Sequence, residues 1–288
     1  MNDFRHILFP VDFSERSRAA APFVLSLARS YGAKVTLLHA MPLPMPYWSD
    51  LGIMPPVAVE TEDLREELRN RLNEFAKDLL PKVEVAAAVE AGDPGSLIAA
   101  QAAVTEPDLI AMPTHGYGIF RRALLGSATA KVLHDATVPV WTSAHAPEPS
   151  HRAHPKPRRI LAALDLKEES ERVLDFALGI AYHEDAAVEI LHVASEGEPS
   201  PDDAGTKLHD LLASVAHHEK LSVLNEVDAG PEVTVSSGIA QTVRNLATRK
   251  RADLVVIGRG YIRGVGPSRL NSHTYSIIRE APCPVLSV

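Results

Sequence analysis

Gly116 and Gly126, with Ser127 directly behind the second, form the pattern in this chain best suited to chemistry. Glycine lets main chain approach a ligand closely. A helix that starts beside Ser127 presents unpaired N–H groups at the positive end of its dipole, which suits a phosphate. The Ser127 hydroxyl can cap that helix or donate to a phosphate oxygen, and the two roles are compatible. Short apolar segments elsewhere end in Pro10-Val11-Asp12, His39-Ala40 and Met112-Pro113-Thr114-His115-Gly116. Parallel strands with those ends would converge on one crevice beside the glycine loop, the place where open α/β sheets bind ligands. Asp12 also reads as a helix cap.

Other chemistries find no pattern. No glycine run has the spacing of a phosphate-loop lysine motif, and Gly258-Arg259-Gly260 with Gly264 fails the dinucleotide fingerprint in spacing and position. His39 and His192 read as packing residues at strand ends, and His115 has no evident acid or nucleophile partner. Adjacent His217 and His218 point to different helix faces, and His209 lies eight residues from His217 with no carboxylate pattern completing a set, so a solvated helix is expected rather than a metal site. Arg121-Arg122 could neutralise phosphates or form a solvated pair.

The elements that position these residues alternate. In the first half, strands are expected at His6–Val11, Lys34–Ala40, Val83–Val89, Leu109–Met112 and Val138–Ser143. Helices are expected from Ser14 to Gly32, over Glu60–Leu80, Ser96–Val104 and Ser127–Asp135. The loop Met41–Pro56 carries five prolines and three of the chain's methionines, and could be a lid or a partner surface. The second half repeats the order: strands Ile160–Leu164, Val188–Val193, Val233–Ser236, Leu254–Ile257 and Val285–Val288, and helices Glu168–His183, Lys207–Lys220, Ile239–Arg249 and His273–Arg279. A loop is expected over Ala194–Gly205. Such alternation implies an α/β fold of two doubly wound, parallel five-stranded sheets.

The halves are copies. Arg5, Asp12, Leu38 and His39 recur as Arg158, Asp165, Leu191 and His192, each pair 153 apart. Asp108, Leu109, Pro139 and Val140 recur as Asp253, Leu254, Pro284 and Val285, each pair 145 apart. A chain of 288 residues divides naturally into domains at 1–144 and 158–288, joined by a proline- and histidine-rich linker at 145–157. The net charge of −8 argues against nucleic acid or anionic membrane as partner. One cysteine, Cys283, excludes a disulfide framework within the chain. No apolar run is long enough to span a bilayer, and the N-terminus enters a strand without a signal peptide, so a cytoplasmic protein is expected.

The run THGYGIFRRALLGSATAKVLHDATVPVW resembles the signature of universal stress proteins, and ILFPVDFSERSRAAAPFVLSLARSYGAKVTLLHA is similar to that family's first strand, helix and second strand. The resemblance covers the chain as a tandem pair and implies a Rossmann-like fold related to the adenine-nucleotide alpha hydrolases, with strand order 3-2-1-4-5. It also implies binding of ATP or AMP, with Mg2+ accompanying ATP. Carried over by position, Asp12 would face the adenine or ribose beside Pro10 and Val11. Ala40 would offer backbone to the base and Met112 would line the pocket. Gly116, Gly126, Ser127 and Ala128 would hold phosphates, with Pro113, Thr114 and His115 in the adjoining loop. Pro113 stands where the family motif has its first glycine, and proline has no N–H. In the second copy Gly258 keeps that glycine, while Tyr261 and Asn271 replace the other two and Ala163 replaces Pro10. That copy is expected to be a structural or regulatory partner.

Similar proteins dimerise through their last strands, so Val138–Ser143 and Val285–Val288 are expected to pair within the chain, and two chains to form a homodimer. Slow ATP hydrolysis is the most catalysis the resemblance implies, and no general base is evident. A nucleotide-free scaffold of the same fold is the alternative.

Overall fold

The computed structural model describes residues 4–41, 60–114, 125–143, 156–194, 201–216, 232–260 and 272–288. Most of the loop after Lys34–Ala40, residues 144–155 of the linker region, and His115, Gly116, Arg121, Arg122, His217, His218, Tyr261 and Asn271 lie outside the described residues. The first repeat runs β1 (His6–Pro10), α1 (Glu15–Tyr31), β2 (Lys34–Met41), α2 (Glu60–Leu79), β3 (Val85–Ala91), α3 (Pro94–Thr105), β4 (Leu109–Pro113), α4 (Ser127–Asp135) and β5 (Val140–Ser143). The second runs β6 (Arg159–Leu164), α5 (Ser170–Glu184), β7 (Ala187–Ala194), α6 (Pro201–Ala216), β8 (Glu232–Val235), α7 (Ile239–Lys250), β9 (Leu254–Ile257), α8 (Ser272–Glu280) and β10 (Val285–Ser287).

Strands within each repeat are parallel and follow the 3-2-1-4-5 order. The two sheets are not separate. β5 and β10 pair antiparallel, which makes one ten-stranded sheet, β3-β2-β1-β4-β5-β10-β9-β6-β7-β8. Trp141 faces Leu286 at the centre, flanked by Val140 opposite Ser287 and Thr142 opposite Val285. The Thr142 hydroxyl donates to the Val285 carbonyl and the Ser287 hydroxyl to the Val140 carbonyl, both at 3.2 Å. These bonds mirror each other, because Thr142 and Ser287 are repeat equivalents, as are Val140 and Val285. Trp141 is buried and packs against Phe23, the rings tilted by 38° with centroids 5.3 Å apart. Over one sheet face, α1 meets α5: Tyr31 stacks on His183 at 3.8 Å, and the His183 ring bonds the Ser30 carbonyl at 2.9 Å.

The repeated aspartates have a shared task. Asp108 Oδ2 accepts the N–H groups of Arg5 and His6 at 2.7 and 2.8 Å, and Asp253 Oδ2 accepts those of Arg158 and Arg159 at 2.9 and 3.0 Å. Each carboxylate thus ties the start of its central strand to the strand that follows α3 or α7. The unpaired N–H groups of a strand's first residues need such an acceptor.

Some boundaries differ from the sequence reading. β3 sits two residues later than expected, because its register with β2, from Val35 opposite Val85 to Met41 opposite Ala91, sets its ends. The helix expected from Ser96 begins two residues earlier, with Asp93 as N-cap and Pro94 in the first turn, where proline's missing N–H costs nothing. The expected loop over Ala194–Gly205 is shorter, since α6 begins at Pro201 for the same reason. Cys283 is buried, and desolvation, with Asp253 adding, pushes its thiol up to about 12, which makes it an inert core residue.

Charged substitutions at Val140 or Val285, both fully buried, would place an unpaired charge in the junction and lower stability by about 3 kcal/mol or more. The radius of gyration from small-angle scattering should rise, and unchanged compactness would exclude the junction as the tie between repeats. Asp108→Ala and Asp253→Ala should each cost about 1–2 kcal/mol in denaturant unfolding and add independently.

Candidate functional site

The sheet order reverses between β1 and β4, whose paired register covers only Ile7 with Leu109 and Leu8 with Ile110. Beyond that point the strands diverge and a cavity of about 380 Å3 opens. Pro10, Val11 and Asp12 line it from the end of β1, Leu38, His39 and Ala40 from β2, and Met112 and Pro113 from β4. Gly126, Ser127, Ala128 and Thr129 close it at the start of α4, and Pro94 and Ile98 at the start of α3. Nine residues singled out in the sequence therefore share one crevice: Pro10, Val11, Asp12, Ala40, Met112, Pro113, Gly126, Ser127 and Ala128. Thr114 does not line it. Its side chain is buried and donates to the Ser143 carbonyl at 3.0 Å, while its own carbonyl accepts the Gly126 N–H at 3.0 Å and the Thr129 hydroxyl at 3.2 Å. These bonds tie the end of β4 to β5 and to the start of α4. His115 and Gly116 fall outside the described residues.

Asp12 is half-buried and tied to its own helix. Its Oδ1 accepts the Ser14 N–H at 3.0 Å and the Ser17 hydroxyl at 2.5 Å. The N-cap is Ser14, which accepts the Ser17 N–H at 3.2 Å, so Asp12 braces the cap rather than being it. Between them Phe13 adopts a left-handed conformation, φ 61°, and Leu166 does the same in the second repeat at φ 55°. A bulky residue there costs about 1–3 kcal/mol and persists only where its surroundings hold it. Here the Phe13 ring lies 4.6 Å from His39 and 4.3 Å from the Arg71 guanidinium. His39 Nδ1 donates to the Val11 carbonyl at 2.7 Å, and His192 Nδ1 to Leu164 at 2.9 Å. Both histidine rings are thus tied to the main chain at the end of the neighbouring strand, and His39 lines the crevice.

α4 starts differently from the reading that made Ser127 a cap. The N-cap is Gly126, with no side-chain bond to the helix, and Ser127 is the first helical residue. The first N–H groups of α4 thus have no side-chain cap from Gly126, and Gly126–Thr129 border the cavity. Gly126 sits at φ −61°, a conformation any residue adopts, so its value here is the absence of a side chain. α3 packs closely beside α4: a Cβ on Gly95 would fall 2.9 Å from Lys131 Cβ, so glycine alone lets the two crevice helices meet.

Pro113 costs less than its motif position suggests. Ile110 and Thr114 donate their N–H groups toward β5, to Pro139 and Ser143. Strand alternation turns position 113 toward the β1 side, beyond the paired register. The missing N–H is therefore one crevice donor, and no ladder bond is lost.

The second repeat differs at the same place. Glu169 Oε2 accepts the Gly260 N–H at 2.9 Å, and a Cβ on Gly258 would lie 3.0 Å from that oxygen. Gly258 is glycine here because a carboxylate of its own chain lies against it. The position of Glu169 is occupied in the first repeat by Arg16. Among the described residues no group of three His, Cys, Asp or Glu side chains is placed to hold a metal ion, and His209 is exposed on α6.

Sequence reasoning missed Ser17, Pro94, Ile98 and Thr129 as crevice residues. Thr129 carried a signal, since it recurs as Thr274, whose hydroxyl likewise bonds the main chain at the end of the fourth strand, at the Arg259 carbonyl. The others depend on helix orientation, which spacing alone does not give.

The sequence profile of the universal stress protein family matches residues 3–143 and, a second time, residues 156–288. A universal stress protein of Mycolicibacterium smegmatis is 29% identical over 137 residues, which is 46% of this chain and 44% of that protein. The chain thus matches less than half the length of that relative. A universal stress protein of Thermus aquaticus is 31% identical over 137 residues, 46% of this chain and 98% of its own. The crystal structure of a universal stress protein from Archaeoglobus fulgidus superposes with a TM-score of 0.70 at 23% identity, covering 100% of this chain and 97% of that one, which shows a shared fold. With the profile matched across both repeats, this chain belongs to the universal stress protein family, in its tandem form.

Proposed function

We propose that the crevice of the first repeat binds an adenine nucleotide, ATP or AMP, and that the second repeat does not. The observation that carries this reading is one cavity with apolar walls from Pro10, Val11, Leu38, Ala40 and Met112 that ends on the N-terminus of α4, where the N-cap Gly126 offers no side chain. Its volume of about 380 Å3 falls in the range of small-molecule pockets, roughly 300–1,000 Å3. An aromatic base fits the apolar walls, and a phosphate suits main-chain donors at a helix start.

In this reading Asp12 and Ala40 meet the base and ribose, and Gly126, Ser127 and Ala128 hold the phosphates. His115 and Gly116 join them on the strength of the sequence motif. Mg2+ would arrive with ATP, chelated by its phosphates. In the second repeat the Glu169 carboxylate already takes the Gly260 N–H, a donor an anionic ligand would need, and repels a phosphate. The protein would then act as a cytoplasmic, nucleotide-responsive stress factor. The last strands β5 and β10 pair inside the chain, so a homodimer would pair other surfaces, and β3 and β8 remain the outer strands of the sheet.

Calorimetry with ATP, AMP and cyclic AMP should find one adenine-nucleotide site per chain. Gly126→Tyr keeps the backbone conformation but projects a ring into the crevice, and should weaken binding at least about tenfold, or ~1.4 kcal/mol. Binding that survives this substitution would place the site elsewhere. No binding by the unaltered protein would favour a nucleotide-free scaffold that acts by docking a partner.

A further inference from the structure

Arg259 is 2% exposed and the bulkiest of the fully buried side chains. It stands just past β9 between Gly258 and Gly260, in the place that Thr114 holds in the first repeat. Its guanidinium reaches into the first repeat. Nη1 donates to the Ala136 carbonyl and Nη2 to the Val138 carbonyl. Ala136 is the C-cap of α4, the helix whose other end closes the ligand crevice. The last carbonyls of a helix have no partner within it and carry the negative end of its dipole, so a forked cation is their best mate. Those charge-assisted bonds also offset the cost of taking a guanidinium out of water.

Both ends of this strap are fixed. On the second repeat, the Arg259 N–H donates to the Val288 carbonyl at 3.3 Å, and the Arg259 carbonyl accepts the Thr274 hydroxyl at 3.1 Å. The next residue, Gly260, is held by Glu169 at 2.9 Å. On the first repeat, α4 has only nine residues, so a shift at Ala136 is carried to Ser127. The Tyr275 hydroxyl reaches the Ala130 carbonyl at 3.4 Å, a second contact from the same side. The repeat counterpart of Arg259 differs, since the Thr114 hydroxyl donates to Ser143 of its own repeat.

We propose that Arg259 is a positioning residue for the first repeat's crevice: the second repeat, having lost its own ligand site, uses this side chain to hold α4 in the orientation that receives the phosphates. The proposal rests on the nucleotide reading above. It assigns the degenerate repeat a task, and makes the loop after β9, set by Glu169, a point from which crevice affinity can be altered.

The test uses the full chain with two readouts, amide hydrogen exchange of residues 127–135 without ligand and calorimetry with ATP. Arg259→Met should speed exchange in α4 and weaken ATP by about tenfold, within the usual range of coupling between sites. Arg259→Lys should recover part of both. Ser287→Ala removes a hydrogen bond from the same junction without touching α4, and should leave both readouts as in the unaltered protein. Wild-type exchange and affinity in Arg259→Met, or equal weakening by Ser287→Ala, would overturn the proposal. Should circular dichroism show that Arg259→Met does not fold, Glu169→Ala replaces it; a smaller loss in the same direction is expected, and none would contradict the strap. If the unaltered protein binds no ATP, the nucleotide reading fails by itself, and α4 exchange still decides whether Arg259 holds the helix.

Discussion

The antiparallel pairing of β5 with β10 removes the apolar edge that each five-stranded repeat would otherwise present to solvent. Val140, Trp141, Val285 and Leu286 are buried because the strands meet, and the mirrored bonds of Thr142 and Ser287 fix their register. From that register follows the rest of the assembly: α1 comes to lie on α5, and Tyr275 of α8 reaches α4. A tandem chain makes this pairing intramolecular, so it does not depend on protein concentration.

Covalent linkage also frees the two repeats to diverge. In a symmetric dimer of identical chains any change appears on both sides of the axis. Here Arg16 corresponds to Glu169, Pro113 to Gly258 and Thr114 to Arg259. Glu169 settles against the loop after β9, and Arg259 crosses to the partner repeat. The first repeat keeps a crevice that ends at the start of α4, and Arg259 of the second repeat bonds the other end of that helix. In the reading proposed above, loss of a site and gain of a support are two aspects of the same three substitutions.

The architecture was legible because its signals are local. Apolar runs five residues long, flanked by helical spacing, place the strands, and Ser127–Asp135 and Leu254–Ile257 match their elements to the residue. The crevice was legible for a related reason: in a parallel sheet the ends of β1, β2 and β4 must lie together, so Pro10, Asp12, Ala40 and Met112 could be grouped without coordinates. Three features were not. Ser127 looked like a cap, but the choice between Gly126 and Ser127 is a matter of one residue's backbone angles. Thr114 looked like a lining residue, but the pleat turns it to Ser143. Glu169 and Arg259 carry charged side chains of the kind that usually face water, and only tertiary packing shows one against a glycine loop and the other buried. Comparison of the repeats held a hint, since a threonine replaced by arginine at a strand end changes both reach and charge.

The central claim is that an adenine nucleotide is held by the first repeat on the main-chain amides that open α4. A crystal structure of the full chain grown with ATP tests it most directly. The account predicts phosphate density against the N–H groups of Ser127 and Ala128, the base between Val11 and Ala40, and the Glu169 carboxylate still on Gly260. Nucleotide bound in the second repeat with Glu169 displaced, and the first crevice empty, would contradict it.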